Sequence, residues 1–292
     1  MPDPTFQSRS TNPFGLTDVG LAAVPTLVDI DGDGDLDAFA GNSDGNTLFY
    51  RNTGSASAPA FATPSTNPFG LTDVGFRAKP ALVDIDGDGD LDALVGDQSG
   101  NTLFYRNTGT KSAPAFATPS TNPFGLTDVG SFAKPTFVDI DGDGDLDAFV
   151  GNTDGNTLFY GNTGSASAPA FAAPSTNPFG LTDVGDSAAP TLVDIDGDGD
   201  LDAFVGNYDG NTLFYQNVPS LAITATNASQ TEGNTGTKAF TFTVTRSGDT
   251  SGSSSANWAV TGSGANQANA TDFVGGTLPS GTVNFAATET SQ

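Results

Sequence analysis

Hydrophobic residues in this chain come in short bursts separated by Asp, Gly, Asn and Pro, and no stretch carries the 3.6-residue spacing of an amphipathic helix. Around the middle of the chain the bursts predict four short strands. These are Pro135–Ile140 (PTFVDI), Leu146–Gly151 (LDAFVG), Asn156–Tyr160 (NTLFY) and Ala170–Ala172 (AFA). The Asp-Gly pair inside NTDGN marks a tight hairpin between the second and third. Leu146, Ala148, Phe149 and Val150 make the second strand apolar on both faces, as expected of a sheet sandwiched between neighbouring sheets.

The same pattern recurs. NPFGLTDVG stands at 12–20, 67–75, 122–130 and 177–185, a spacing of 55 residues each time. From Pro4 to about Asn217 the chain is four nearly identical copies. Four strands per copy at this period predict an all-β fold, a β-propeller of four four-stranded blades. The fourth copy runs from Tyr215 into QNVPSLAIT without an AFA burst, while Pro4-Thr5-Phe6 stands in register with Pro59-Ala60-Phe61. The expected ring is therefore closed by the N-terminal strand, which would remove an exposed sheet edge. A ring shared between two chains is the alternative.

Between the first and second strands each copy writes DIDGDGDLDA, at 29–38, 84–93, 139–148 and 194–203. Two carboxylates about 4 Å apart repel by about 1 kcal/mol even in bulk water. Five in nine residues call for a cation or for full solvation. Acids at positions 1, 3, 5, 7 and 9 with glycine at 6 reproduce the first three-quarters of a calcium loop. The glutamate at position 12 and the flanking helices of an EF-hand are missing. The loop resembles the D-x-D-x-D-G-x-x-D hairpin loop of FG-GAP and VCBS repeats, known from integrin α-chain propellers and bacterial surface proteins. NPFG supplies a Phe-Gly pair, although the Gly-Ala-Pro half of the family's name is absent.

The resemblance implies about four calcium ions, one per repeat. Their ligands would be Asp29, Asp31, Asp33, Asp37 and the carbonyl of Asp35 in the first copy, and Asp84, Asp86, Asp88, Asp92 and the carbonyl of Asp90 in the second. The third offers Asp139, Asp141, Asp143, Asp147 and the carbonyl of Asp145, the fourth Asp194, Asp196, Asp198, Asp202 and the carbonyl of Asp200. A solvated acidic turn is the plain alternative, and magnesium, with its stricter octahedron, the rival ion.

Composition narrows the chemistry. The 292 residues carry a formal net charge of −25, and the only glutamates are Glu232 and Glu289. Nine Lys and Arg scattered along the sequence predict no basic patch and no nucleic-acid partner. With neither Cys nor His, disulfides, thiolate chemistry and the commonest general base are excluded. No apolar run reaches the ~18 residues of a membrane span, and MPDPTFQSRS has no apolar segment of a signal peptide.

Phe14, Phe69, Phe124 and Phe179 are expected between blades, or as ligand platforms together with Tyr50, Tyr105, Tyr160 and Tyr215. Asn42, Asn152 and Asn207 suit turn chemistry beside the hairpins. The copies differ at Arg51, Arg106, Gly161 and Gln216, positions expected to be exposed.

The propeller is expected over residues 1–219. Residues 220–292 turn to Thr, Ser, Asn and Gly, with Ala239–Arg246 the clearest strand. This stretch resembles part of a Calx-beta domain, an immunoglobulin-like β-sandwich. That resemblance implies Trp258 in the sandwich core, with Glu232 and Asp272 at early acidic positions of the family.

The function expected is a non-catalytic calcium-binding repeat module of a secreted or cell-surface bacterial protein. Its role would be adhesion, ligand binding or scaffolding, with a cell-surface protein or glycan as partner. A lectin-like carbohydrate-binding propeller and the platform of an extracellular hydrolase are the alternatives.

Overall fold

The computed structural model describes residues 10–197, 200–218, 220–226, 236–247, 250, 253–262 and 267–292. The fold is all-β, a four-blade β-propeller built on repeats of about 55 residues. The first sheet contains β1 (Val24–Val28), β2 (Asp37–Gly41), β3 (Thr47–Tyr50) and β4 (Ser65–Thr66), in that order. The second repeats it with β5 (Lys79–Val83), β6 (Asp92–Gly96), β7 (Thr102–Tyr105) and β8 (Ser120–Thr121). The third contains β9 (Lys134–Val138), β10 (Asp147–Gly151), β11 (Thr157–Tyr160) and β12 (Ser175–Thr176). The fourth has β13 (Ala189–Val193), β14 (Asp202–Gly206) and β15 (Thr212–Tyr215) among the described residues. The closing strand expected at Pro4-Thr5-Phe6 lies outside the described residues.

The outermost strand is a correction to the sequence reading. AFA does not form it; Phe61, Phe116 and Phe171 make only isolated bridges to Asn52, Asn107 and Asn162. Two polar residues just before the second, third and fourth NPFG pair with the third strand instead, as in Leu48↔Thr66 and Phe49↔Ser65. The apolar burst signals burial of Phe116 and Phe171, not membership of a ladder.

The core lies between successive sheets. One cluster gathers Phe39 and Phe49 with Leu71, Leu82 and Val95, and the next gathers Leu94 and Phe104 with Leu126, Phe137 and Val150. As expected, β6 and β10 are buried along their whole length. Close approach needs glycine at the end of the second strand: a Cβ on Gly41, Gly96 or Gly151 would run into the carbonyl oxygen of Ala78, Ala133 or Ala188. Phe69 packs edge-on against Phe49 at 4.9 Å, and Phe124 against Phe104 at 5.0 Å, so these NPFG rings lie between blades. The outermost members, Phe14 and Phe179, are exposed. Tyr50, Tyr105 and Tyr160 are fully buried and bonded to Thr17, Thr72 and Thr127 at 2.7–2.8 Å, so they are not ligand platforms.

The chain divides into two compact units, Met1–Leu192 with Phe204–Tyr215, and Val193–Ala203 with Gln216–Gln292. In the second, β16 (Ser220–Ala225) pairs antiparallel with β17 (Phe242–Ser247), and β18 (Ser254–Ala259) with β19 (Ser280–Phe285). Val244 and Gln292 exchange two N–H···O bonds of 2.9 Å, adding the last residues to the edge of β17. Trp258, expected in a core, is 42% exposed. It lies close to Gly281 of the paired strand, and a two-stranded ribbon leaves one face of its ring open. Glu232 lies outside the described residues.

Candidate metal centre

Register places the Asp loop. Val28 pairs with Asp37, Val83 with Asp92 and Val138 with Asp147, so the residues between them form the hairpin joining the first two strands of each sheet. Ile30 and Ile85 turn inward from the loop and are buried in the inter-sheet clusters, which anchors it on a rigid base. Gly32 and Gly34, with φ of 72° and 95°, take the left-handed turns that curl the loop on itself, and Gly142 and Gly144 repeat this.

Curling draws the acids together. Asp29, Asp31 and Asp33 each bring one carboxylate oxygen within 4.8 Å of the others, as do Asp84, Asp86 and Asp88, and Asp139, Asp141 and Asp143. The position-1 carboxylate also accepts from the loop backbone. Asp139 Oδ1 takes the Gly142 N–H at 2.7 Å, and its Oδ2 takes Gly144 N–H at 3.0 Å. In the first loop Asp29 accepts from Asp33 and Gly34 at 3.1 and 3.2 Å. In the fourth, Asp194 accepts from Gly197 at 2.7 Å, and Asp198 lies outside the described residues.

Position 9 opens the second strand. Asp37, Asp92, Asp147 and Asp202 are all buried. One oxygen of each is bound by the backbone N–H of Asn52, Asn107, Asn162 or Asn217 at 2.6–2.8 Å. The other oxygen of Asp37 and of Asp92 is buried without a hydrogen-bond partner. Burial pushes Asp37 up to about 6; the Asn52 N–H works against this, and Asp31, Asp33 and Asp35 add to it. Asp92 is pushed up to about 7 by burial, against the Asn107 N–H, with Asp86 and Asp88 adding to the rise. Burial also raises Asp147.

Position 7 was expected to offer only its carbonyl. The side chains of Asp35 and Asp145 turn in as well, each with one buried, unpartnered oxygen, while Asp90 is half-buried and Asp200 buried. Burial and then the Asp33 charge raise the Asp35 carboxyl, and burial and then the Asp143 charge raise that of Asp145.

Sequence reasoning placed Arg51 and Arg106 on the surface, and both are more than half exposed. It missed what they hold. Arg51 Nη2 lies 2.5 Å from Asp31 and 3.9 Å from Asp33, and Arg106 Nη2 lies 2.6 Å from Asp86 and 3.6 Å from Asp88. Gln216 Nε2 holds Asp196 at 2.8 Å in the fourth repeat, and the third has Gly161 at this place. Lys111 of the second repeat lies over the first loop, its side-chain carbons 2.7–3.0 Å from where a Cβ on Gly32 would sit. The alternation of Arg, Arg, Gly and Gln at one repeat position, two residues after the Phe-Tyr pair begins, was the available signal. Asn42 does serve its turn, accepting from Asp44 and Asn46 and donating to Val19.

An all-oxygen, carboxylate-rich cradle with buried unpartnered atoms fits a hard divalent cation, which would offset the repulsion among the acids. The FG-GAP-like repeat description matches the sequence at residues 29–95, 84–150 and 139–205, each span running from one Asp loop into the next blade. No curated protein matches the chain. Among solved structures, the Photorhabdus luminescens Tc holotoxin pore aligns with a TM-score of 0.35 at 13% identity, over 85% of this chain and 15% of that one. The chain thus spans about 15% of the length of that toxin chain.

Proposed function

Because the chain belongs to the FG-GAP-like repeat family, we propose that its Asp loops hold calcium and that the propeller is a non-catalytic module. The observation that carries this reading is the grouping of three Asp triads beside buried, unpartnered oxygens of Asp37 and Asp92. The ligands would be the side chains at positions 1, 3, 5 and 9 with the position-7 residue, in each of the four loops. Calcium would supply positive charge where the chain itself crowds five acids. The ion would pin the first hairpin of each blade, which makes its role structural.

The acids are spread over four copies of one loop, whereas an active site concentrates differentiated groups in one place. That favours adhesion, ligand binding or scaffolding over hydrolysis. Loops of this kind suit the millimolar calcium outside cells, which supports a secreted or surface-attached protein with a cell-surface protein or glycan as partner. No helix among the described residues is long and apolar enough to cross a membrane. The strands beyond Ser220 would belong to a Calx-beta-like sandwich.

Isothermal titration of the calcium-stripped chain tests the metal reading. Saturable calcium binding at several sites, with magnesium at least tenfold weaker, is expected. Equal, weak heats for both ions would leave the loops as solvated turns and remove the proposal.

A further inference from the structure

The four repeats are nearly identical, yet after NPFGLTDVG they diverge. The next four residues are LAAV at 21–24, FRAK at 76–79, SFAK at 131–134 and DSAA at 186–189. These tetrapeptides lead into the first strand of each sheet, and Lys79 and Lys134 are the first residues of β5 and β9. Their second residues, Ala22, Arg77, Phe132 and Ser187, all take a left-handed backbone with φ between 54° and 61°. For residues other than glycine this costs of order 1 kcal/mol each.

The fold brings these divergent side chains together. The rings of Phe76 and Phe132 lie 6.2 Å apart, and the Arg77 guanidinium sits 5.4 Å from one and 5.0 Å from the other. Lys134 Nζ reaches the fourth repeat, donating to Ser187 O at 2.6 Å and to Ser187 Oγ at 2.8 Å. Lys79 and Lys134 open the neighbouring first strands β5 and β9, and Arg77 stands two residues before Lys79, so cations 55 residues apart in the sequence share one end of adjacent strands.

Although acids outnumber bases by 34 to 9, neither Arg77, Lys79 nor Lys134 has a carboxylate within ion-pairing distance among the described residues. Arg77 Nε is buried and unpartnered. Burial lowers both lysines to about 8, and like charge adds to this: Arg77 acts on Lys79, and Lys79 and Arg77 act on Lys134. Asp186 opposes the shift of Lys134. Half-buried, mutually repelling cations are costly unless an anion joins them.

We propose that Arg77, Lys79 and Lys134 form a binding site for an oxyanion, a carboxylate or sulfate group of a small ligand, with the Phe76 ring supporting the ligand's neighbouring apolar or sugar face. Arginine offers the group a planar fork and the lysines point charges. The site is built from repeats two to four and does not depend on the calcium reading.

The test titrates the intact, calcium-supplemented protein with sodium sulfate and with sodium glucuronate, against sodium chloride at equal ionic strength and against neutral glucose. Saturable binding of sulfate, glucuronate or both is expected, weakened at least tenfold in Lys79→Met and in Lys134→Met. Methionine keeps the apolar length and removes a half-buried charge, so Lys79→Met is expected to melt no lower than the parent, while Lys134→Met also gives up its two bonds to Ser187. Preference for glucuronate would assign a carboxylate ligand, and preference for sulfate a sulfate ester. Heats no different from chloride, or binding unchanged in both variants, would overturn the site.

Discussion

The first and third Asp loops share the letters DIDGDGDLDA and differ in what stands over them. Arg51 reaches Asp31 in the first, and Lys111 crosses Gly32. The third has Gly161 in place of the arginine, and its Asp139 gathers N–H bonds from Gly142, Asp143 and Gly144. The second loop is intermediate, with Arg106 on Asp86 and the backbone of Ala166, not a lysine, beside Gly87. The loop word sets the curl and the clustering of acids. Residues about 20 and 80 positions further along decide how much positive charge the cluster already has. A metal ion entering the first loop must displace or tolerate a guanidinium; in the third, no basic side chain pairs with the acids among the described residues. Three loops of one sequence are thus expected to form a graded series, with the third the tightest.

The largest effect that would expose this grading is ligand removal. With calcium at about 100 times its dissociation constant, an occupied site adds about 2.7 kcal/mol. Asp139→Ala is expected to cost roughly that much in a urea titration with calcium, and Asp29→Ala distinctly less. Equal losses would erase the contrast.

A somewhat smaller effect is expected from pH. Burial raises the folded-state Asp37 and Asp92 carboxyls to about 6 and about 7, above their ordinary 3.8. The metal-free folded chain therefore holds protons that the unfolded chain releases. Their contribution to stability is complete below pH 3.8 and is lost as pH rises through 6 and 7. The calcium-stripped protein should lose stability between about pH 4 and pH 7.5. Saturating calcium should abolish the loss, and Asp92→Asn should remove its own share.

Next comes the arginine itself. Arg51 is 58% exposed, so its field is screened, and Arg51→Gly is expected to tighten the first loop by about tenfold, or about 1.4 kcal/mol. Arg106→Gly should do the same for the second. Placing an arginine at Gly161 should weaken the third loop by a similar factor, which calorimetry would resolve as the loss of the tightest class. The smallest effect is that of Lys111→Ala, a few-fold gain confined to the first loop.

Much of this was legible in the sequence, because period and alternation report backbone geometry directly. The 55-residue repeat, the first three strands of each blade and the clustering of Asp29, Asp31 and Asp33 all follow from local words. The fourth strand did not, since Ser65–Thr66 is too short and polar to show any alternation. Neither did the burial of equivalent residues. Leu27 and Leu82 occupy the same repeat position, but Leu82 is covered by its neighbours at 6% exposure and Leu27 stands at 54%. Arg51 over Asp31 and Lys134 on Ser187 are contacts across 20 and 53 positions; only the change of residue type at position 51 from repeat to repeat hinted at the first.

The central claim is that the Asp loops are structural calcium sites. Thermal unfolding of the calcium-stripped chain, followed by circular dichroism alone, with millimolar calcium and with millimolar magnesium, tests it most directly. The account predicts a large rise in Tm with calcium and a small one with magnesium. Coincident melting curves under all three conditions would contradict it.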